Sequence, residues 1–198
     1  MLEVKQHFTH GKEDVMAKQV LVPIADGNEE IEAVCIIDVL RRAGADVTVA
    51  AVGDLTITAS RGVKIVADTT LAECSTRSYD LIVLPGGKRG AEHLRDSEQL
   101  AAMLKRQRNE DRLYAAICAS PALVFQHHGL LQGRRATCHP DFVDRIENRE
   151  LIDSRVVVDG QLVTSRGPGT AIEFALKLVE LLYGSEKAAA VAGPMLVR

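Results

Sequence analysis

Cys118 stands between two segments of opposite character. Leu113 to Ile117 is an apolar run suited to a short strand buried on both faces. Ser120-Pro121 reads as a helix start, with Ser as N-cap and Pro at the first helical position, where its missing N–H needs no partner. Cys118 is therefore expected at a sharp strand-to-helix turn, beside a helix N-terminus whose partial positive charge favours thiolate over thiol. The chemistry such a position offers is nucleophilic addition to an electrophilic carbon. The bland alternative is a small buried apolar group, the ordinary role of a free cysteine.

Partners decide between the two. Glu29, Glu30 and Glu32 open a helix after another strand. One of them, desolvated near the thiol, would have a raised carboxyl pKa and move protons. At least two of the three are expected to be surface residues interacting with the helix dipole. Gly86 and Gly87, after Pro85, could present backbone N–H groups to a developing oxyanion, with the Ala119 N–H beside the nucleophile. His139 is the candidate base, and Pro140 extends the backbone before it. His127 and His128 fall at a helix end and read as polar caps. Arg42, Arg61 and Arg166 could hold an anionic substrate, although each alone reads as a surface cation. No glycine-rich phosphate-binding loop follows a strand.

The elements that must position these residues alternate. Strands are expected over 20–25, 46–51, 79–84 and 113–117, with a short one over 135–137. A helix over 29–43 would present Ile31, Val34, Cys35, Val39 and Leu40 as its apolar stripe and end at Gly44. Residues 57–66 read as a hairpin around Ser60-Arg61-Gly62. Helices follow over 90–95, 97–110, and from Ser120 to about 128, with a short one over 141–147. Residues 155–158 and 162–165 form a hairpin through Asp159-Gly160. Thr170 and Glu173 make a capping box for a helix to about Tyr183, with Ile172, Ala175, Leu176 and Val179 as its stripe, and a last helix covers about 186–192. Strands alternating with helices imply a largely parallel sheet covered on both faces, with the site beyond the carboxyl ends of its strands.

Composition narrows the class. The chain has 198 residues, enough for one sizeable core. Residues 1–17 are polar and aperiodic, and are expected to be a disordered leader or a non-native extension, with 18–198 a single domain. A formal net charge of −3 argues against a nucleic-acid partner. No apolar run is long enough to span a membrane. Cys35, Cys74, Cys118 and Cys138 form no Cys-x-x-Cys pair, which argues against structural zinc and for reduced thiols in the cytoplasm.

Several separated segments, in order, resemble the ThiJ/PfpI superfamily and within it the DJ-one group: Ala25 to Glu32, Arg41 to Gly44, Leu84 to Gly87, Ala115 to Pro121, Cys138 to Pro140, and Thr164 to Thr170. The resemblance runs from about Ala17 to Arg198. It implies an α/β fold, a flavodoxin-like three-layer sandwich with a mostly parallel sheet (class I glutamine amidotransferase-like), and a homodimer. It implies Cys118 as an oxidation-prone nucleophile and picks Glu32 as the protonated carboxylic acid bonded to it. Gly86, Gly87 and Ala119 match oxyanion-side donors, His139 the nearby histidine, and Arg42 and Arg61 arginines that line an anion site. Three positions depart from the family pattern. Ser120 replaces a residue commonly Gly or Ala, Ala59 and Val66 replace cysteines, and Ala119 stands where the protease branch has a dyad histidine.

The expected activity is that of a cofactor-independent cysteine enzyme acting on a small aldehyde such as methylglyoxal, in the manner of a glyoxalase III or deglycase, with a protective role in oxidative stress and no metal. The alternative is a redox sensor or chaperone that uses oxidation of Cys118 rather than turnover.

Overall fold

The computed structural model describes residues 16–197, so the expectation for residues 1–17 lies almost wholly outside the described residues. The elements in chain order are β1 (Gln19–Ile24), α1 (Glu30–Arg42), β2 (Asp46–Ala51), β3 (Thr56–Thr58), β4 (Lys64–Val66), β5 (Thr69–Thr70) and α2 (Leu71–Cys74). There follow β6 (Leu81–Leu84), α3 (Lys88–Asp96), α4 (Glu98–Asn109), β7 (Leu113–Ile117), a π-helix over Pro121–Gln126 and a 3₁₀ turn over Pro140–Arg145. The chain closes with β8 (Val156–Asp159), β9 (Leu162–Ser165), α5 (Ala171–Tyr183) and α6 (Ser185–Ala192).

Seven strands form one sheet in the order β5-β2-β1-β6-β7-β9-β8, parallel except for the antiparallel β8–β9 hairpin. The expected flavodoxin-like sandwich is the observed architecture. β6 is buried at every residue and β7 at all but its first, which is why both read as apolar runs without alternation. α1 packs on α5, which also carries α6, while α3 packs on α4. Strand order reverses between β1 and β6, and the loops leaving β1, β6 and β7 converge there, as ligand-binding crevices do in open α/β sheets.

Several local expectations fail for tertiary reasons. Ile31 and Val34 are about half exposed, while α1 buries Glu30, Glu32, Ala33, Ile36, Val39 and Leu40. The buried face of α1 is rotated so that an acid heads it. Ile172 of the α5 stripe is likewise partly exposed, and Phe174 and Leu178 are buried instead. Thr170 makes no side-chain cap on α5. Its hydroxyl donates to the Gly167 carbonyl, and Glu173 pairs with Arg155 at 2.7 Å. Residues 135–137 form no strand: the Thr137 amide bonds the Thr164 hydroxyl instead of a neighbouring backbone.

Candidate active site

The π-helix after β7 changes the start that Ser120 was expected to make. Ser120 already has helical dihedrals, and no side-chain cap comes from it. Its buried hydroxyl instead donates to the Pro85 carbonyl at 2.6 Å, tying the β7 turn to the β6 loop. Cys118 occupies the turn with φ of 65°, the left-handed region that non-glycine residues rarely adopt. Two backbone bonds hold it there. Its N–H donates to the Ser165 carbonyl and its carbonyl accepts from the His139 N–H at 2.9 Å. The strained turn therefore sits at the junction of β7, β9 and the 139 segment.

The first turn of α1 supplies the acid. Glu32 is fully buried, and its Oε2 accepts the Gly86 N–H at 2.7 Å. Its Oε1 has no hydrogen-bond partner among the described residues. Burial raises the Glu32 carboxyl to about 7, opposed by the Gly86 amide and by Cys118, and assisted by the charge of Glu29. Gly86 itself marks how tight the contact is. A Cβ there would lie 2.5 Å from the Cys118 Cβ and 2.7 Å from Glu32 Oε2.

The thiol is not poised as a free thiolate. Burial pushes Cys118 up to about 12, the neighbouring Glu32 charge adds to this, and the Gly87 and Ala119 N–H groups oppose it. Desolvation thus outweighs the helix-terminus effect expected from sequence. The thiol and the Glu32 carboxyl contribute to each other's shifts but make no hydrogen bond of good geometry. The protonation of each therefore bears on that of the other, with burial the larger cause for both.

The other sequence-predicted residues divide. Gly87 and Ala119 direct their amides at the sulfur. The Gly86 N–H, the other expected donor, is engaged by Glu32 Oε2. The His139 backbone adjoins Cys118, while its ring Nδ1 accepts the Asp141 N–H at 3.2 Å. Arg42 lies at the far end of α1, paired with Asp38 at 2.6 Å. At 1.5 Å rise per residue it is on the order of 15 Å along the helix from Glu32, so it does not join the site within one chain. Arg61 lines a cavity beside the β1 loop. Arg166 pairs with Asp153.

At least two of the three acids were expected on the surface, but Glu29 and Glu30 are buried as well as Glu32. The hairpin turn folds over Glu29 and Glu30: the Ser60 hydroxyl lies within 2.8 Å of both carboxylates and has one proton to donate between them, and the Arg61 N–H donates to Glu30. Sequence reasoning also passed over Asn28, whose side chain accepts from the Ala25 N–H and donates to the Gly86 carbonyl. An Asn following Gly27 in a turn was a signal for this role. No group of three or more His, Cys, Asp or Glu among the described residues is arranged to hold a metal. Among the described residues no helix is long and apolar enough to cross a membrane.

The DJ-1/PfpI family model matches residues 18–181. The chain is 59% identical over 170 residues to protein DJ-1 homolog B of Arabidopsis thaliana, covering 85% of this chain and 39% of that protein. It spans less than half the length of the plant relatives it matches. It is 36% identical over 178 residues to a protein of Caenorhabditis elegans named glutathione-independent glyoxalase DJR-1.2, covering 89% of this chain and 94% of the other. The solved structure of oxidized Toxoplasma gondii DJ-1 superposes with a TM-score of 0.89 at 51% identity, covering 91% of this chain and 99% of that one.

Proposed function

The chain belongs to the DJ-1/PfpI family, and we propose on that premise that it is a cofactor-independent cysteine enzyme that converts small reactive carbonyls such as methylglyoxal, in the cytoplasm and as a homodimer. The observation that carries the reading is the buried Glu32 carboxyl beside Cys118, with one oxygen bound to Gly86 and the other free to exchange a proton. The similarity to a relative named as a glyoxalase supports the substrate class.

The Cys118 proton passes to Glu32, and the thiolate adds to the aldehyde carbon. The carbonyl electron pair moves to oxygen, where the Gly87 and Ala119 amides are placed to stabilise it. Glu32 returns the proton and a hemithioacetal results. Glu32 then removes the hydrogen on the former aldehyde carbon as a proton and delivers it to the adjacent carbon. A second proton passes between the two oxygens, with His139 as its carrier. The resulting thioester is cleaved by water, releasing lactate and the thiol. The test is lactate formation from methylglyoxal by the purified protein without added thiol, metal or nucleotide. Lactate no higher than in a heat-denatured control overturns the reading.

The exposed apolar side chains Ile31 and Val34 on α1, and Val63 and Val66 around β4, support the homodimer. Light scattering that gives a monomer mass at micromolar concentration would sink that part.

A second reading, redox sensing, is favoured by the same unpartnered Glu32 oxygen. Two equivalents of peroxide would oxidise the sulfur to sulfinate with release of water, and a protonated Glu32 would donate to it. Intact mass after graded peroxide tests this. Oxidation spread evenly over all four cysteines rejects it.

A further inference from the structure

The loop that carries Gly86 and Gly87 is held by groups from other segments, one peptide at a time. Its first peptide runs from the Pro85 carbonyl to the Gly86 N–H. The Ser120 hydroxyl donates to that carbonyl at 2.6 Å, and the N–H donates to Glu32 at 2.7 Å. Its second peptide runs from the Gly86 carbonyl to the Gly87 N–H. The Asn28 side-chain Nδ2 donates to that carbonyl at 2.7 Å, and the Glu29 N–H donates to it at 3.0 Å. The N–H of this second peptide is the Gly87 amide directed at the Cys118 sulfur.

A trans peptide is planar, and its C=O and N–H point in opposite directions. The donors on the Gly86 carbonyl therefore set where the Gly87 N–H points. Two adjacent glycines have the least hindered backbone, so a peptide between them needs such a constraint. Glycine is required at 87, where φ is 82° and a Cβ would lie 2.6 Å from the Glu29 nitrogen. Asn28 is itself fixed. It is fully buried, its Oδ1 accepts the Ala25 N–H at 2.6 Å, and a Cβ on Gly90 would lie 2.4 Å from its Nδ2. The bond to Ala25 is local to the turn after β1, whereas the bond to Gly86 spans 58 residues of chain.

We propose that Asn28 is a positioning residue: through the Gly86 carbonyl it aims the Gly87 N–H at the negative charge that forms beside Cys118, on sulfur in the thiolate and on the substrate oxygen after addition. It acts through the Gly86–Gly87 peptide and not on the reacting atoms. The part concerning the substrate oxygen rests on the carbonyl reading of Cys118, whereas the part concerning the thiolate does not. A preset dipole of this kind stabilises developing charge without reorganising when the charge appears. Ser120 fixes the neighbouring peptide in the same way, but the N–H it sets is the one that meets Glu32.

The experiment compares Asn28→Ala with Gln107→Ala in the full chain. Gln107 is the matched control: its buried carboxamide donates to the Tyr79 and Leu113 carbonyls, at the opposite ends of β6 and β7 from the site. Thermal melting confirms that both variants are folded. In the first arm, alkylation of Cys118 by iodoacetamide is followed at one mildly alkaline pH, with the modified cysteine identified by peptide mass. Asn28→Ala should slow it about fivefold or more, because a misaimed Gly87 amide leaves less thiolate, and Gln107→Ala should leave it within about twofold. A side chain that only holds the fold together gives the opposite sign, a loosened thiol that reacts faster. In the second arm, Asn28→Ala should lower kcat for lactate release from methylglyoxal about tenfold with KM within about twofold. Alkylation unchanged or faster in folded Asn28→Ala, or an equal loss of kcat in Gln107→Ala, overturns the proposal. No lactate from the wild type overturns the carbonyl reading, and the alkylation arm then decides the role of Asn28 alone. If Asn28→Ala does not fold, Asn28→Ser, whose hydroxyl ends one bond short of the carboxamide nitrogen, is carried through the same two arms.

Discussion

Cys118 and Cys138 are neighbours of opposite promise. Both are buried, both are pushed up to about 12 by burial, and the His139 N–H links the backbones beside them. Their surroundings differ. The Cys138 thiol donates to the His139 carbonyl, an acceptor that cannot take a proton away, and only the distant charges of Arg166 and Arg149 favour its ionised form. The Cys118 thiol faces a carboxyl that titrates near neutrality, with two amides aimed at its sulfur. A buried thiol becomes a candidate nucleophile when a proton acceptor and anion-stabilising dipoles are fixed around it, whatever its resting pKa.

The largest test of that contrast is removal of each thiol in turn. Cys118→Ala should lower methylglyoxal turnover by at least about 10³-fold. Cys138→Ala should keep turnover within a few fold of wild type, as measured by lactate release. Comparable losses from both would erase the distinction between them.

Glu32→Gln should reduce kcat/KM by about 10²-fold, the scale of a lost general acid–base group. It should also move the pH midpoint of Cys118 alkylation downward, because the carboxylate charge is one cause of the thiol's high pKa. Cys138, followed in a Cys118→Ala background, should show no such movement. Glu32→Gln with an unmoved Cys118 midpoint would separate the acid from the thiol.

The same carboxyl couples stability to pH. Its pKa in the fold is raised to about 7 from 4.5. The stability it contributes is therefore complete below about 4.5 and is lost as pH rises through about 7. The loss is on the order of 3 kcal/mol. In thermal melts, Glu32→Gln should gain on wild type between pH 5 and pH 8, whereas Cys138→Ala should track wild type over that range.

Smaller effects probe the frame around the thiol. Gly86→Ala places a methyl group 2.5 Å from the Cys118 Cβ and should cost about 1–3 kcal/mol in chemical denaturation. Ser120→Ala removes the bond to Pro85 and should cost about 1 kcal/mol.

Much of this frame is legible in the sequence. The apolar runs of β6 and β7, the Asp159-Gly160 hairpin and the alternation of strand with helix all follow from local chemistry. The misread face of α1 is instructive. Glu32, Ile36 and Val39 recur at helical spacing as well as Ile31, Val34 and Cys35 do, but a reading by apolarity excludes an acid from the buried stripe. Glu29 and Glu30 escaped for a related reason, since the turn at Ser60 that covers them is about thirty residues away in the chain. Arg42 lies apart from Cys118 within one chain because sequence fixes its helix but not how far along that helix the site extends.

By itself the sequence determined the α/β order, the family, and the place of Cys118 at a strand-to-helix turn, because periodicity, turn residues and spaced motifs are local properties. Only the tertiary structure decided the state of that cysteine. Burial, the Glu32 carboxyl from the first turn of α1 and the amides of Gly87 and Ala119 meet there from three segments, and a pKa depends on everything within a few ångströms rather than on neighbours in the chain.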